Sequence, residues 1–220
     1  MRKRWTEENW IMLMQIYLKK PAGVKPLYSR DIVDLALELH FSPKSLYRRM
    51  VSLRRLNTPQ IERLWKTYAD KPKKLAREVE LLRTMEGFNN AESFYEGVEV
   101  IESFETDFRP LAECPSLTPV MLILILDLYF RLTPNTMVPE TPEVTDMAKA
   151  LGISAPLVAE VLDIFQQCDP YLHYKQPTDH PLTQACQTIW QRYGNGDPSD
   201  LASLATQLQE YYRQTWPNKH

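Results

Sequence analysis

The chain repeats itself after 112 residues, and this repeat constrains its fold more than any other feature. Without a gap, "DIVDLALELHFSPKSL" at 31–46 aligns with "EVTDMAKALGISAPLV" at 143–158, and "LMQIYLKK" at 13–20 aligns with "ILDLYFRL" at 125–132. The matched apolar positions recur at steps of three and four residues, which is the spacing of a buried helix face. A later similarity, between "LWKTYADKPKKLA" and "IWQRYGNGDPSDLA", extends each copy to five helices and pairs Trp65 with Trp190 as matching core residues.

The 17 prolines of the sequence are compatible with a helical chain because several stand where helices are expected to begin. At the first helical position the missing N–H costs nothing and the fixed φ suits the helix, while the preceding side chain can cap it. Such pairs occur at Ser42-Pro43, Thr58-Pro59, Thr118-Pro119, Thr141-Pro142 and Asp197-Pro198. The sequence therefore predicts an all-α, multihelical fold of two tandem pseudo-repeats, each with a helix-turn-helix-like core.

The two copies carry opposite charge. Residues 1–85 have 19 Lys/Arg and 9 Asp/Glu, a balance of +10, whereas residues 86–220 have 7 and 19, a balance of −12. We predict a basic helical repeat 1 over 1–85, an acidic aromatic linker over 86–116 and an acidic helical repeat 2 over 117–220. Such asymmetry indicates either a nucleic-acid contact or an attraction between the two halves.

The composition favours a cytoplasmic protein without a membrane partner. The longest apolar run, at 120–126, is far shorter than the ~20 residues of a membrane span. No apolar signal segment follows the basic N-terminus. Three cysteines without a CxxC pair fit reduced thiols in a reducing compartment.

No motif in the sequence indicates an enzyme. The six glycines form no phosphate-binding loop, and no nucleophile has a base nearby in sequence. The best metal-ligand set lacks the short paired spacing of a structural zinc site; it comprises Cys168, His173, His180 and Cys186. Since Cys186 lies in the apolar stretch "LTQACQTIW", a buried thiol explains it better. We predict no catalytic residue, no metal, no cofactor and no small-molecule substrate.

The start of the chain, Trp5-Thr6-Glu7-Glu8 followed by "LMQIYLKKP", resembles the opening helix of Myb/SANT modules. More closely, about 50 residues of each copy resemble a helical module that precedes the nuclease domain of bacterial HNH endonucleases. Copy 1 keeps "IYLKKP" and "DIVDLALELHFSPKSLYRRM", and copy 2 keeps "LDLYFRLTP", "TPEVTDMAKALGISAPLVAEVLDIF" and "CDP". The resemblance implies a helical module that contacts nucleic acid, but no nuclease, because no His-Asn-His constellation is present. His40 replaces the turn glycine that copy 2 keeps as Gly152.

A basic face is expected on the second helix of the helix-turn-helix in copy 1. When Leu46, Met50 and Leu53 point to the core, the cations of this helix point to the opposite side. The predicted nucleic-acid-binding residues are Lys44, Ser45, Tyr47, Arg48, Arg54 and Arg55 on the helix, with Arg2, Lys3 and Arg4 as a basic arm. Copy 2 has Pro156, Glu160 and Gln167 at the positions of Lys44, Arg48 and Arg55, which removes the attraction to phosphate.

These features favour a non-enzymatic accessory protein that binds DNA through repeat 1 and uses repeat 2 for packing or partner contact. The alternative is a protein–protein adaptor or structural protein, in which the basic and acidic halves pair within one chain or in a homodimer. A third hypothesis is an enzyme whose site assembles from residues distant in sequence.

Overall fold

The computed structural model describes residues 4–85, 103–172 and 180–213, and these residues form helices and turns without any β-strand. The predicted all-α fold is confirmed. The chain divides into two compact units, Met1–Glu102 (unit 1) and Ser103–His220 (unit 2). Among the described residues, no helix combines the length and the apolarity that a membrane crossing requires.

The described residues of unit 1, 4–85, form five helices, with the first of them at the centre. They are α1 (Glu7–Leu18), α2 (Arg30–Leu39), α3 (Pro43–Arg55), α4 (Pro59–Tyr68) and α5 (Pro72–Thr84). Helix α1 packs against α2, α3 and α5. Four consecutive residues of α1, Ile11 to Met14, are buried, so neighbouring helices enclose it on most of its circumference.

Over 103–172 and 180–213, unit 2 has a similar succession of five helices, preceded by a short one. Its helices are α6 (Ser103–Phe108), α7 (Pro119–Tyr129), α8 (Pro142–Leu151), α9 (Ala155–Cys168), α10 (Thr183–Ile189) and α11 (Pro198–Gln209). The other five helices all pack against α7, which is buried along nearly its whole length. Within the predicted linker, α6 therefore packs as part of unit 2, while residues 86–102 lie outside the described parts of the chain.

Helices begin at the proline pairs that the sequence predicts. All five prolines stand in the first turn of a helix. The preceding Ser42, Thr58, Thr118 and Asp197 each accept a hydrogen bond from a backbone N–H of that turn. Thr141 is the exception, because its hydroxyl donates to the carbonyl oxygen of Thr136 at 2.6 Å. These prolines start helices rather than interrupt them.

The turn between α2 and α3 has nearly the same backbone as the turn between α8 and α9. His40 has φ 53° and ψ 40°, and Gly152 has φ 70° and ψ 30°, so both are left-handed. The next N–H in each turn donates to a carbonyl oxygen of the preceding helix, at 3.1 Å from Phe41 and 3.0 Å from Ile153. His40 thus adopts the same turn that Gly152 forms in unit 2, although a side chain at positive φ has a conformational cost.

One aromatic pair recurs in both units. The rings of Tyr17 and Trp65 lie 5.7 Å apart at 74°, and those of Tyr129 and Trp190 lie 5.6 Å apart at 77°. Trp190 is 6% exposed, as a core residue should be, whereas Trp65 is only half-buried. The prediction of two equal core anchors is therefore right for Trp190 and wrong for the degree of burial of Trp65.

Candidate nucleic-acid interface

One side of α3 packs in the core and the other presents cations to solvent. Leu46, Met50 and Leu53 are fully buried, as the helical periodicity predicts. The exposed residues are Lys44, Arg48, Arg54 and Arg55, and Ser45 and Tyr47 beside them are half-buried. The helix contains no acidic residue. Its exposed face is therefore uniformly positive.

The four exposed cations of α3 form no salt bridge within the residues that the structure describes. Arg54 and Arg55 lie in the last helical turn, where positive charge interacts favourably with the helix dipole. Lys44 lies in the first turn, where positive charge is unfavourable and no acid compensates for it. Helix stability therefore accounts for the two arginines at the end better than for Lys44 and Arg48.

Several acidic residues of unit 1 neutralise cations on other helices. The pairs are Arg63–Glu7 (2.5 Å), Lys19–Asp31 (2.7 Å) and Arg83–Glu38 (2.8 Å). Exposed pairs of this kind contribute little to stability. They neutralise cations on α4, on α5 and at the end of α1, whereas the exposed cations of α3 form no such pair within the described residues. A further group of exposed cations stands around the start of α5, at Lys71, Lys73, Lys74 and Arg77.

A groove of about 470 Å³ runs between α1, α2 and α5 on unit 1. Its lining combines the carboxylates of Asp31, Asp34 and Glu38 with apolar residues such as Leu35 and Leu75. Burial raises the pKa of the Asp34 carboxyl above its usual range. Lys19 and Arg83 also line the groove and form salt bridges with Asp31 and Glu38, so its charge is mixed, in contrast to the uniformly positive face of α3.

Ser45, predicted as a binding residue, is engaged in the local structure of α3. Its backbone N–H donates to the Ser42 hydroxyl at 3.3 Å, which caps the helix. Nη1 of Arg49 donates to the Ser45 carbonyl oxygen at 3.3 Å and also to its hydroxyl. Since that hydroxyl already accepts a hydrogen bond, Ser45 is a weaker candidate for nucleic-acid contact than Lys44 or Arg48.

Arg49 was not among the residues predicted from the sequence, yet it has a distinctive position. Its guanidinium carbon lies 4.3 Å from the ring centre of Trp5 and 5.4 Å from that of Phe41. Burial lowers the pKa of Arg49. The signal that could have revealed it is the repeat alignment, which places Arg49 opposite the apolar Val161.

Of the predicted basic arm, the structure describes Arg4, which is exposed. Arg2 and Lys3 lie outside the described residues. Arg4 directly precedes Trp5, whose ring packs edge-on against Trp10 (5.4 Å) and Phe41 (5.1 Å). The backbone at Arg4 is therefore held close to α3.

The matching face of α9 in unit 2 has the opposite chemistry. Glu160 and Asp163 are exposed there. Nε2 of His180 lies 2.6 Å from Oε1 of Glu160, while Nδ1 of His180 accepts a hydrogen bond from the Leu182 N–H at 3.1 Å. Gln167 donates to Asp163 at 3.0 Å. These acidic and polar groups are thus engaged within unit 2.

The candidate metal ligands Cys168, His180 and Cys186 are described by the structure, and each has an environment unlike that of a metal ligand. Cys186 is fully buried, and burial raises the pKa of its thiol to about 12 and that of Cys168 to about 11. His180 contacts Glu160, and His173 lies outside the described residues. Across residues 4–85, 103–172 and 180–213, no three His, Cys, Asp or Glu side chains are grouped closely enough to hold a metal ion.

No protein-family model, curated protein or solved structure matches this chain.

Proposed function

We propose that this protein is a non-enzymatic accessory protein that binds double-stranded DNA through the exposed face of α3. The observation that carries the proposal is the set of four exposed cations on a helix without acidic residues, none of them salt-bridged within the described residues. Positive charge on an exposed helix attracts the phosphate backbone, and an α-helix fits the major groove. Lys44 and Arg48 are the strongest candidates for contact with DNA among the four, because helix stability does not explain their presence.

The local arrangement of helices supports this proposal. Helices α2 and α3 are joined by the three residues 40–42, pack against each other, and both pack against α1. Helix-turn-helix proteins use such a pair of helices to hold the second one in the major groove. The capped start of α3 and its buried face fix the helix, so its exposed side chains are presented on a firm support.

The comparison with unit 2 also supports it. The bounds of α2 and α8, Arg30–Leu39 and Pro142–Leu151, differ by 112 residues at both ends, as the repeat requires. We infer that unit 2 is a second copy of the same helix-turn-helix-like module, and that it serves packing or partner contact. Two copies with the same helix order but opposite charge on one face are expected if only the basic copy contacts DNA.

The experiment compares retention on heparin and mobility shift of a DNA duplex for the full chain and two triple variants. Lys44→Ala/Arg48→Ala/Arg55→Ala removes three cations from α3 and is expected to elute at lower salt and to lose the shift. Lys20→Ala/Lys66→Ala/Lys149→Ala removes three exposed cations elsewhere and is expected to retain most of the shift. If the unmodified chain does not bind DNA, the protein–protein adaptor becomes the better hypothesis, and self-association of the chain should then be measured.

A further inference from the structure

One corner of unit 1 is built from different chemistry than the same corner of unit 2. In unit 1 it consists of Trp5, Trp10, Phe41 and Arg49. At the matching positions of the repeat, unit 2 has Leu117, Leu122, Ile153 and Val161. Three of these four aliphatic residues are fully buried, and Ile153 is half-buried. The fold can thus close this corner with aliphatic side chains alone.

The cation in the corner of unit 1 therefore needs an explanation other than packing. Arg49 is half-buried, and no carboxylate forms a salt bridge with it within the described residues. Burial lowers the pKa of Arg49 and so disfavours its charged form. The contacts that offset this cost are the stack on Trp5 at 4.3 Å and the hydrogen bonds from Nη1 to Ser45. The stack on Trp5 fastens the N-terminal segment to one flank of α3, and the hydrogen bonds to Ser45 hold the guanidinium in place on the helix.

This flank adjoins the exposed cationic face of the helix. Ser45 and Arg49 stand one turn apart on α3, next to Arg48, which points to solvent. Arg4 precedes the stacked Trp5 by one residue, and consecutive Cα atoms are about 3.8 Å apart. The stack therefore brings the backbone of an exposed arginine alongside the proposed DNA-binding face.

We propose that Arg49 is a positioning residue, which stacks on Trp5 and thereby holds Arg4 where it and α3 contact the phosphates of one duplex. This inference rests on the proposed function and adds to it the residue, Arg49, that holds Arg4 in position. A guanidinium suits this role because its planar face stacks on an indole while its edge donates hydrogen bonds. An aliphatic residue, as in unit 2, would fill the corner without these contacts.

The test is a double-mutant cycle on the full chain, with duplex DNA affinity measured over a range of salt concentrations. In the wild type, Arg4→Ser should make the slope of log affinity against log salt shallower by about 0.9, the effect of one phosphate contact. The loss of affinity that it causes should therefore be about eightfold larger at 0.1 M salt than at 1 M salt. In the Arg49→Val background, the same Arg4→Ser change should have little further effect. Lys20→Ser is the matched control, since it removes one exposed cation that lies outside α3 and the N-terminal segment.

Arg49→Lys separates positioning from direct contact, because it keeps the charge and loses the planar stack. If Arg49 acts through Arg4, the effect of Arg4→Ser should also shrink in the Arg49→Lys background. If Arg4→Ser keeps its full effect in both backgrounds, the inference is overturned. Should Arg49→Val fail to fold, as judged by its thermal melt, Arg49→Lys alone decides. Arg48→Glu distinguishes failure of this inference from failure of the proposed function. If α3 does not bind DNA, Arg48→Glu leaves the DNA affinity unchanged; if only the role of Arg49 is wrong, Arg48→Glu still weakens binding.

Discussion

At the scale of single residues, Trp65 and Trp190 show how a repeated motif can have the same contacts and unequal burial. Both indoles pack edge-on against a tyrosine at nearly the same distance. Trp190 in addition lies 5.8 Å from the ring of Phe130 and 6.3 Å from that of Phe165. Its aromatic surroundings bury it almost completely, so we expect Trp190 to contribute more than Trp65 to the free energy of unfolding.

We predict that Trp190→Ala lowers the free energy of unfolding by ~3–5 kcal/mol, the range for a large buried aromatic side chain. Trp65→Ala should cost clearly less, because part of that indole is already in water in the folded state. Urea denaturation of both variants, followed by circular dichroism, measures the difference. Equal losses for the two variants would show that the aromatic contacts, rather than burial, determine the cost.

At the scale of helices, the same region of the two units differs in its backbone. In unit 1, α4 continues as a regular helix through Trp65 to Tyr68. In unit 2, α10 ends at Ile189 and the next residues, Trp190–Gly194, form a π-helical turn. A Cβ atom on Gly194 would lie 2.6 Å from a ring carbon of Trp190, closer than any tolerated contact. Glycine at this position therefore permits both the π turn and the buried indole.

Gly194→Ala is therefore expected to destabilise unit 2 by about 1–3 kcal/mol, since the indole or the turn must move to admit a methyl group. The control is Gly196→Ala, where the added Cβ would meet its nearest neighbour at an ordinary 3.5 Å. Thermal melts of both variants, with near-ultraviolet circular dichroism to report on the tryptophans, check the prediction. A wild-type melting temperature for Gly194→Ala would mean that the indole has room to adjust.

The helix starts and the order of the helices could be predicted because they depend on local chemistry. Ser42-Pro43 specifies a capped helix start without reference to the rest of the chain. The buried side of α3 could be predicted as well, because Leu46 and Met50 follow the helical period. The stack of Arg49 on Trp5 could not be predicted in this way, since the two residues are 44 positions apart and meet only through tertiary packing. The half-burial of Trp65 likewise depends on which neighbours enclose it.

At the scale of the whole molecule, the two units combine a similar order of helices with opposite charge. The charge balance is +5 over residues 1–102, with 19 Lys/Arg and 14 Asp/Glu, and −7 over residues 103–220, with 7 and 14. On the second helix of each helix pair, Arg48 in unit 1 corresponds to Glu160 in unit 2, where Glu160 contacts His180. We propose that this difference separates a DNA-binding unit from one that does not bind DNA.

The most direct test is titration of labelled duplex DNA with the full chain at two salt concentrations. Arg48→Glu should abolish binding at moderate salt, because a repulsion replaces an attraction to phosphate, and the fold should survive because the side chain is exposed. Lys149→Glu, the same change of charge on an exposed position of α8, should bind as the wild type does. Glu160→Arg should add little affinity, since Pro156 and Gln167 leave it without neighbouring cations. Unchanged affinity of a folded Arg48→Glu variant would contradict the proposal that α3 binds DNA.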